Sequence, residues 1–334
     1  MTETVTLALS DAVALCRAAA MRAGASAATA QALANASVAA ERDGQPSVGM
    51  AHFLDYLEAL KAGRIKGAAE PELSRPAGAI ILSDARGGSA HLGFDRAFDD
   101  LAQTAQQFGL AAFAQKNAYT CGALGYFAGR LAEAGLVALA ATSGPALLAG
   151  SGSTRPVFCT NPLAFAAPIA GSAPLVIDQA SSATAFVNIR KAAAEGRAIP
   201  EGWALDADGH PTTDAKAAVK GALLAFGGAR GANIALMVEV LAAGLGNANW
   251  SLDAPSFTSG AQNPGSGLFV LAVEPKLFDP DFAERMAAQV KRLAGEYGVH
   301  IPGIAKGTAR ERSQKQGLII ARNVYERIAN WPAC

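Results

Sequence analysis

Four short apolar runs between residues 110 and 180 constrain the fold more strongly than any other feature of the sequence. Gly, Pro, Ser or Asn separates them, and they read LAAFAQK, GLVALAATS, LAFAAPI and PLVIDQA. Runs of this length, bounded by turn-forming residues, are typical of β-strands. GLFVLAVEP, at 267–275, predicts one more strand far along the chain. The sequence therefore predicts a sheet at the centre of the molecule.

Segments with helical character lie before, between and after these strands. Residues 9–42 predict a helix pair, in which Ser10 is the expected N-cap of the first helix and Gly24 its end. A strand is predicted at 79–83. Further helices are predicted over 50–63, 94–109, 122–135, 214–248 (interrupted at 226–233), 279–298 and 313–330.

Composition excludes several classes of function. The chain has 334 residues, which favours two or three packed subdomains. Lys+Arg and Asp+Glu both number 28, so no basic footprint for nucleic acid or an anionic membrane is expected. Without a recognisable signal sequence or an apolar span, the four cysteines predict reduced thiols in the cytoplasm; they are Cys16, Cys121, Cys159 and Cys334.

General catalytic motifs do not fit. GSGSTR at 150–155 and GLGNAN at 244–249 lack the third glycine of a dinucleotide fingerprint. No phosphate-binding P-loop, G-x-S-x-G or H-E-x-x-H motif is present. The four histidines are far apart and the cysteine spacings match no zinc pattern, so no metal site is expected.

Three longer segments are more specific. CTNPLAFAAP (159–168), IPEGWALDADGHPTTD (199–214) and GGARGANIALMVEVL (227–241) resemble, in that order, the malate/L-lactate dehydrogenase family of NAD(P)H enzymes. This family is separate from the Rossmann-type lactate and malate dehydrogenases, and the resemblance extends over nearly the whole chain.

The resemblance implies a fold and an assembly. The fold class is α/β (α+β-like) and non-Rossmann: a largely antiparallel cofactor-binding sheet with N-terminal and C-terminal helical subdomains. The expected division is 1–75 on the substrate side, 76–215 for the cofactor sheet with the strand near 266–275, and 216–334 for the helical return. Family members are homodimers that bind NADPH or NADH and reduce 2-oxo acids or cyclic imino acids.

At several positions the sequence departs from the family motifs. The family's Ser-His-Gly, whose histidine donates a proton, is here Ser47-Val48-Gly49. The arginine that holds the substrate carboxylate is replaced by His52. Asn-Ser-x-His-Phe-Gly appears as residues 117–122, NAYTCG. Asn188 stands where some imine reductases have aspartate, and Arg230 and Ala232 stand where the family has lysine and tyrosine.

Three residues are candidates for the lost proton donor or its support. If 48–60 is helical, His52 lies one turn from Val48 and can donate a proton or, when protonated, anchor a carboxylate. It can equally be an ordinary histidine on an amphipathic helix. Ser47 is a candidate proton relay or a helix cap. Tyr119 is a second candidate donor or a packing residue.

The remaining candidate residues come from matched family positions. Thr160 is expected to bind substrate. Candidate cofactor ligands are Thr120, Cys121, Gly122, Ala123 and Leu124 at the start of a helix, together with Asp178, Gln179, Ala180, Arg230 and Arg310. For each arginine, a solvated surface position is the alternative.

Two classes of function remain. The first is an NAD(P)H-dependent reductase of a small 2-imino acid or 2-oxo acid, with a 2-hydroxy acid such as malate, lactate or sulfolactate as an alternative substrate class. An iminium substrate arrives already protonated, so the loss of a donor favours imino acids. The second is a catalytically idle homologue that binds a nucleotide or metabolite.

Overall fold

The computed structural model describes residues 3–333; Cys334, predicted to be a reduced thiol, lies outside them. The strands are β1 (Thr4–Leu7), β2 (Glu72–Ala77), β3 (Ile80–Asp84), β4 (Leu110–Ala118), β5 (Val137–Thr142), β6 (Leu148–Ala149), β7 (Pro156–Phe158), β8 (Leu163–Ala167), β9 (Leu175–Gln179), β10 (Ala204–Leu205), β11 (Pro211–Thr212), β12 (Ala222–Leu223), β13 (Ser266–Val273) and β14 (Leu318–Ala321). The α-helices are α1 (Leu9–Arg22), α2 (Ala27–Arg42), α3 (Met50–Lys61), α4 (Ala90–Phe108), α5 (Gly125–Glu133), α6 (Phe186–Ala194), α7 (Ala215–Ala218), α8 (Ala229–Glu239), α9 (Phe282–Tyr297), α10 (Ile304–Gln316) and α11 (Arg322–Ala329). A π-helix, Val240–Leu245, continues α8, and a short 3-10 helix spans Pro275–Leu277.

A seven-stranded sheet forms the centre of the protein, in the order β2-β3-β4-β13-β5-β8-β9. Every neighbouring pair is antiparallel except β3 with β4. All six segments predicted to be strands lie in this sheet. The prediction of a non-Rossmann, largely antiparallel sheet is therefore confirmed.

Two hydrophobic cores meet beside this sheet. One packs α4 and α5 on the sheet through Phe94, Phe113 and Phe127. The other packs α1, α2 and α3 together with the C-terminal segment that ends at Trp331. The segment between β4 and α5 contributes Tyr119 to the second core and Cys121 to the first, so it is fixed from both sides. The division into three subdomains remains a prediction.

The prediction that Ser10 caps the first helix is wrong. The N-cap is Ala8, and no side chain bonds to the helix start. Because β1 pairs with β14 as far as Leu7, the chain turns into α1 immediately after the strand, and Ser10 falls inside the first turn.

Two long helix predictions are also wrong in part. Residues 313–330 form the end of α10, the strand β14 and α11, because Gly317 adopts φ 81° and the next four residues pair with β1. Within 214–248, β12 pairs with β10 and β6, and two glycines with positive φ, Gly227 and Gly228, precede α8. In both segments long-range strand pairing overrides local helix propensity.

Candidate active site

A cavity of about 600 Å³ opens between α3, the segment after β4, the ends of β5 and β7, and α6. A volume of this size is in the range of small-molecule sites. Half of the predicted site residues line it, together with Val48: His52, Tyr119, Thr120, Cys121, Gly122, Thr160 and Ala180. These residues are far apart in sequence, and the fold brings them to one cavity.

His52 lies on α3 at the cavity wall. Its Nδ1 is 2.9 Å from Oδ2 of Asp55, while its Nε2 is covered and has no hydrogen-bond partner within residues 3–333. Burial would raise the pKa of Asp55, but the hydrogen bond and charge of His52, with Arg190 and Arg327, lower it below its ordinary value. The bond to Asp55 fixes the orientation of the imidazole ring.

The predicted helical stacking of Val48 on His52 is wrong. Residues 46–49 form a turn, and α3 begins only at Met50, whose N–H donates to Oε2 of Glu41 at 2.8 Å. This carboxylate from α2 caps α3, because the N-cap residue Gly49 has no side chain to do so. Val48 and His52 still line the same cavity, through tertiary packing.

Ser47 is exposed and does not line the cavity, and it does not cap α3. In this conformation its side chain therefore lies away from His52's cavity, and the relay role remains only a prediction.

Tyr119 is buried and also lines the cavity. Its hydroxyl donates to the carbonyl oxygen of Phe257 at 2.9 Å. Burial raises its pKa, and the guanidinium of Arg64 acts in the opposite direction. Its proton is thus already engaged with the backbone of loop 252–265, which makes Tyr119 the weaker of the two donor candidates.

Gly122 allows two parts of the wall to approach closely. It adopts φ 61°, and a Cβ there would lie 2.7 Å from Oη of Tyr56 and 3.5 Å from Cδ2 of His52. Below it, His91 is fully buried against Phe127 and bonds through Nε2 to the carbonyl of Cys121 at 3.1 Å. Burial lowers the pKa of His91 to about 3, so its ring is neutral and is a fixed support of this turn.

A buried carboxylate that the sequence analysis missed supports the wall at Thr160. Glu239 accepts hydrogen bonds from Asn161 Nδ2 at 2.7 Å and from Ser251 N and Oγ at 2.6 and 2.8 Å. Ser251 Oγ in turn accepts from the N–H of Cys159 at 3.0 Å. The turn 159–161 is therefore fixed from behind. The sequence signal for Glu239 was its place in an otherwise apolar helix.

The full chain was compared with known proteins. Residues 7–329 match the family described as malate/L-lactate dehydrogenase. The chain belongs to the malate/L-lactate dehydrogenase family. It is therefore an oxidoreductase, as the three quoted sequence segments predicted.

Individual members of this family are similar over nearly their whole length. A Δ1-pyrroline-2-carboxylate reductase of Pseudomonas fluorescens is 37% identical over 332 residues, which is 98% of this chain and 99% of that protein. A (2R)-3-sulfolactate dehydrogenase (NADP+) of Chromohalobacter salexigens is 37% identical over 291 residues, 86% of this chain and 87% of that protein. The crystal structure of a Δ1-piperideine-2-carboxylate reductase from Pseudomonas syringae pvar. tomato superposes with TM-score 0.94 at 35% identity, covering 98% of this chain and all of that one.

The predicted cofactor ligands of this chain do not all lie in the cavity that contains His52. Ala123 and Arg310 line a second cavity of about 350 Å³ on the other side of the segment 122–125. Leu124 is buried in the core, Gln179 is exposed, and Arg230 is exposed on α8 and lines neither cavity. The two cavities nearly meet at Gly122 and Ala123, which line one each.

Two of the predicted cofactor ligands, Asp178 and Arg310, already bond to other residues of the chain. Asp178 Oδ2 accepts from the N–H of Gly125 at 2.7 Å, so a carboxylate sits at the start of α5. Burial raises the pKa of Asp178, and the Gly125 bond and Lys306 oppose that rise. Arg310 pairs with Asp43, Nη2 to Oδ2 at 2.8 Å, and with Glu133.

The residues present nevertheless fit a nicotinamide dinucleotide. Gly122 and Gly144 line the first cavity and Gly125 lines the second, so main chain forms part of both walls, although the Cβ direction of each glycine is filled by protein atoms. The buried Oγ of Ser266, beside Gly144, has no partner within the described residues. Thr120, Cys121, Gly122 and Ala180 are the predicted cofactor residues on the His52 side.

Proposed function

We propose that this protein is an NAD(P)H-dependent reductase of small cyclic 2-imino acids of the Δ1-pyrroline-2-carboxylate or Δ1-piperideine-2-carboxylate type, with NADPH preferred. The observation that carries the proposal is the His52–Asp55 pair on the wall of the cavity that the family-matching segments also line. Relatives with these two substrates in their names support the substrate class.

The chemistry requires a hydride and a controlled proton. The reduced nicotinamide supplies the hydride when it is bound. Thr120, Gly122 and Ala180 would hold it on the His52 side. Arg310 would contact a phosphate from the second cavity only by giving up part of its pairing with Asp43 and Glu133, and Arg230, exposed on α8, would reach a phosphate only from outside both cavities. His52, held by Asp55 through Nδ1, presents Nε2 to the substrate nitrogen after a small local movement uncovers it.

Valine at position 48 favours an imine substrate over a carbonyl substrate. A carbonyl oxygen must receive a proton when hydride adds to its carbon, whereas an iminium nitrogen is already protonated. With Val48 in place of the family's histidine, the cavity is less suited to carbonyl reduction, and one donor at His52 suffices to keep the imine protonated.

A direct assay tests the proposal. The protein is expected to oxidise NADPH in the presence of Δ1-pyrroline-2-carboxylate or Δ1-piperideine-2-carboxylate, faster than with NADH. Reduction of pyruvate, oxaloacetate or sulfopyruvate at a higher kcat/KM would instead support the 2-hydroxy-acid class, which the sulfolactate dehydrogenase relative favours. Dinucleotide binding by calorimetry with no turnover of any of these acids would identify an idle homologue.

The proposal extends to assembly and compartment. We propose a homodimer, supported by exposed apolar side chains on α8 and its π-helical continuation. The proposed compartment is the cytoplasm, supported by the free thiols of Cys16, Cys121 and Cys159. No helix in the described residues is long and apolar enough to cross a membrane.

A further inference from the structure

We infer that Arg64 binds the carboxylate of the substrate, in place of the arginine that the family has at position 52. This inference rests on the proposed function, because it assumes that the substrate carries a carboxylate. Three cationic or potentially cationic side chains line the cavity: His52, Arg64 and Arg190. Their surroundings differ, and the differences single out Arg64.

His52 is already matched with an anion. Its Nδ1 bonds to Asp55, so a positive charge on the ring is neutralised within α3. A carboxylate bound there would meet the negative charge of Asp55, whose side chain is 64% exposed and which also lines the cavity.

Arg190 is open to solvent, and it too forms no ion pair within 4.0 Å among residues 3–333. It lies exposed on α6, and its charge is one of those that lower the pKa of Asp55. Exposed arginines are screened by water and contribute little to anchoring a small anion.

Arg64 is buried and has no counter-ion. It is 8% exposed, and no carboxylate of residues 3–333 lies within 4.0 Å of its guanidinium. Its Nη1 donates to the carbonyl of Gly260 at 2.8 Å, whereas its Nε has no partner. A buried cation with an unsatisfied N–H is costly unless an anion binds beside it. A substrate carboxylate supplies that anion, and guanidinium binds carboxylates with well-defined geometry.

The backbone around Arg64 is well fixed. Asn263 Nδ2 donates to its carbonyl at 2.8 Å, and Ile65 N donates to Ala59 O at 3.1 Å. The guanidinium also lies close enough to Tyr119 to oppose the rise in the pKa of that phenol. With Arg64 as the anchor, His52 is left for the proton.

Arg64 also fastens loop 252–265 through Gly260, so a purely structural role must be separated from anion binding. Binding of pyrrole-2-carboxylate, a planar acid with no C=N bond to reduce, is compared by calorimetry with binding of pyrrole-2-carboxamide, each with NADP+ present. Wild-type protein is expected to bind the carboxylate about 10²-fold more tightly than the carboxamide, since the carboxamide cannot pair with a buried charge.

Arg64→Met is expected to bind the two compounds equally, and Arg64→Lys to retain part of the preference. Asn263→Ala releases the same loop without removing the guanidinium, and Arg190→Met removes the other arginine; both are expected to keep the preference. Circular dichroism and thermal unfolding check that each variant is folded.

Several results would overturn the inference: no preference in the wild type, an unchanged preference in Arg64→Met, or an equal loss in Asn263→Ala or Arg190→Met. Failure of the proposed reaction can be told apart from failure of the Arg64 inference. A wild type that reduces no imino acid but binds carboxylate through Arg64 keeps the anchor and loses the reaction. If the wild type reduces Δ1-pyrroline-2-carboxylate and Arg64→Met has the same KM for it, the proposed reaction holds and Arg64 is not the carboxylate anchor.

Discussion

The two nitrogens of His52 have unlike surroundings: one faces the carboxylate of Asp55, and the other is covered and has no hydrogen-bond partner in the described part of the chain. An unpartnered buried nitrogen costs stability by about 1–3 kcal/mol, and such costs are typical of residues retained for function. Asp55 orients the ring through its bond to Nδ1, as expected for a residue that acts on a substrate.

His52→Ala is expected to lower kcat with the imino acid by about 10²–10⁴-fold, the usual contribution of a general acid, with little change in NADPH affinity. Asp55→Asn should lower kcat less, because the ring remains. Steady-state kinetics and calorimetry across pH 6–9 measure both effects. If His52→Ala keeps the wild-type kcat/KM over that range, His52 is an ordinary helix residue and Tyr119 becomes the donor to test.

His91 predicts a pH dependence of stability. Its pKa is about 3 in the folded protein against an ordinary value of 6.5, so between these values only the unfolded chain binds the proton. The free energy of unfolding therefore falls as the pH drops below about 6.5, by about 1.4 kcal/mol per pH unit for this group.

His91→Gln can still donate to the carbonyl of Cys121 but does not titrate. The variant is expected to be less stable than the wild type at pH 7, with a difference that shrinks towards pH 4.5. Urea unfolding of both proteins at several pH values measures it, and a constant difference would show that His91 does not titrate as described.

Among individual residues, the sequence predicted only a minority of those that line the cavity, and it did so through the family resemblance. His52, Tyr119, Thr120, Cys121, Gly122 and Thr160 all line it. It did not predict Arg64, whose guanidinium bonds to a carbonyl 196 residues away, or Glu239, which acts through Ser251 and Asn161. Such roles depend on long-range contacts that no local pattern encodes.

At the scale of secondary-structure elements, the position of His52 depends on where helix α3 begins. The apolar periodicity predicted this helix, but its first residue depends on Glu41 of α2, which bonds to Met50 N. Gly49 makes this junction possible, because a Cβ there would lie 2.4 Å from Oε2 and 2.9 Å from N of Glu41.

Gly49→Ala is therefore expected to destabilise the protein by about 1–3 kcal/mol through overpacking and to lower turnover by shifting α3. The matched control is Gly295→Ala on α9, where a Cβ meets nothing within 4 Å; there alanine should stabilise the helix by about 0.5–1 kcal/mol. Thermal and urea unfolding of both variants give the comparison, and equal stability of Gly49→Ala and wild type would contradict the packing argument.

For the whole molecule, exposed apolar surface indicates a partner. The α8 patch consists of Leu236, Met237, Val240 and Leu245, each between 48% and 60% exposed. Clustered apolar side chains on one helix and its continuation are typical of an interface. The helix α9 likewise has no buried residue within the protomer.

Light scattering at micromolar concentration is expected to give twice the chain mass of 33.9 kDa. Met237→Glu should shift the mass towards the monomer, because burying a carboxylate in an apolar contact is costly. Ile319→Glu, at an exposed apolar residue on β14 outside the patch, is the control and should leave the mass unchanged. A wild-type mass of one chain would contradict the homodimer.

The position of β13 has a consequence for how the protein is made. This strand pairs with β4 on one side and β5 on the other, with Leu268 opposite both Gln115 and Thr142. During synthesis β4 and β5 emerge more than a hundred residues earlier, and each then has an unpaired edge facing a missing neighbour. The central sheet cannot close until the ribosome has delivered residues 266–273. That interval is when the nascent chain most needs protection from aggregation.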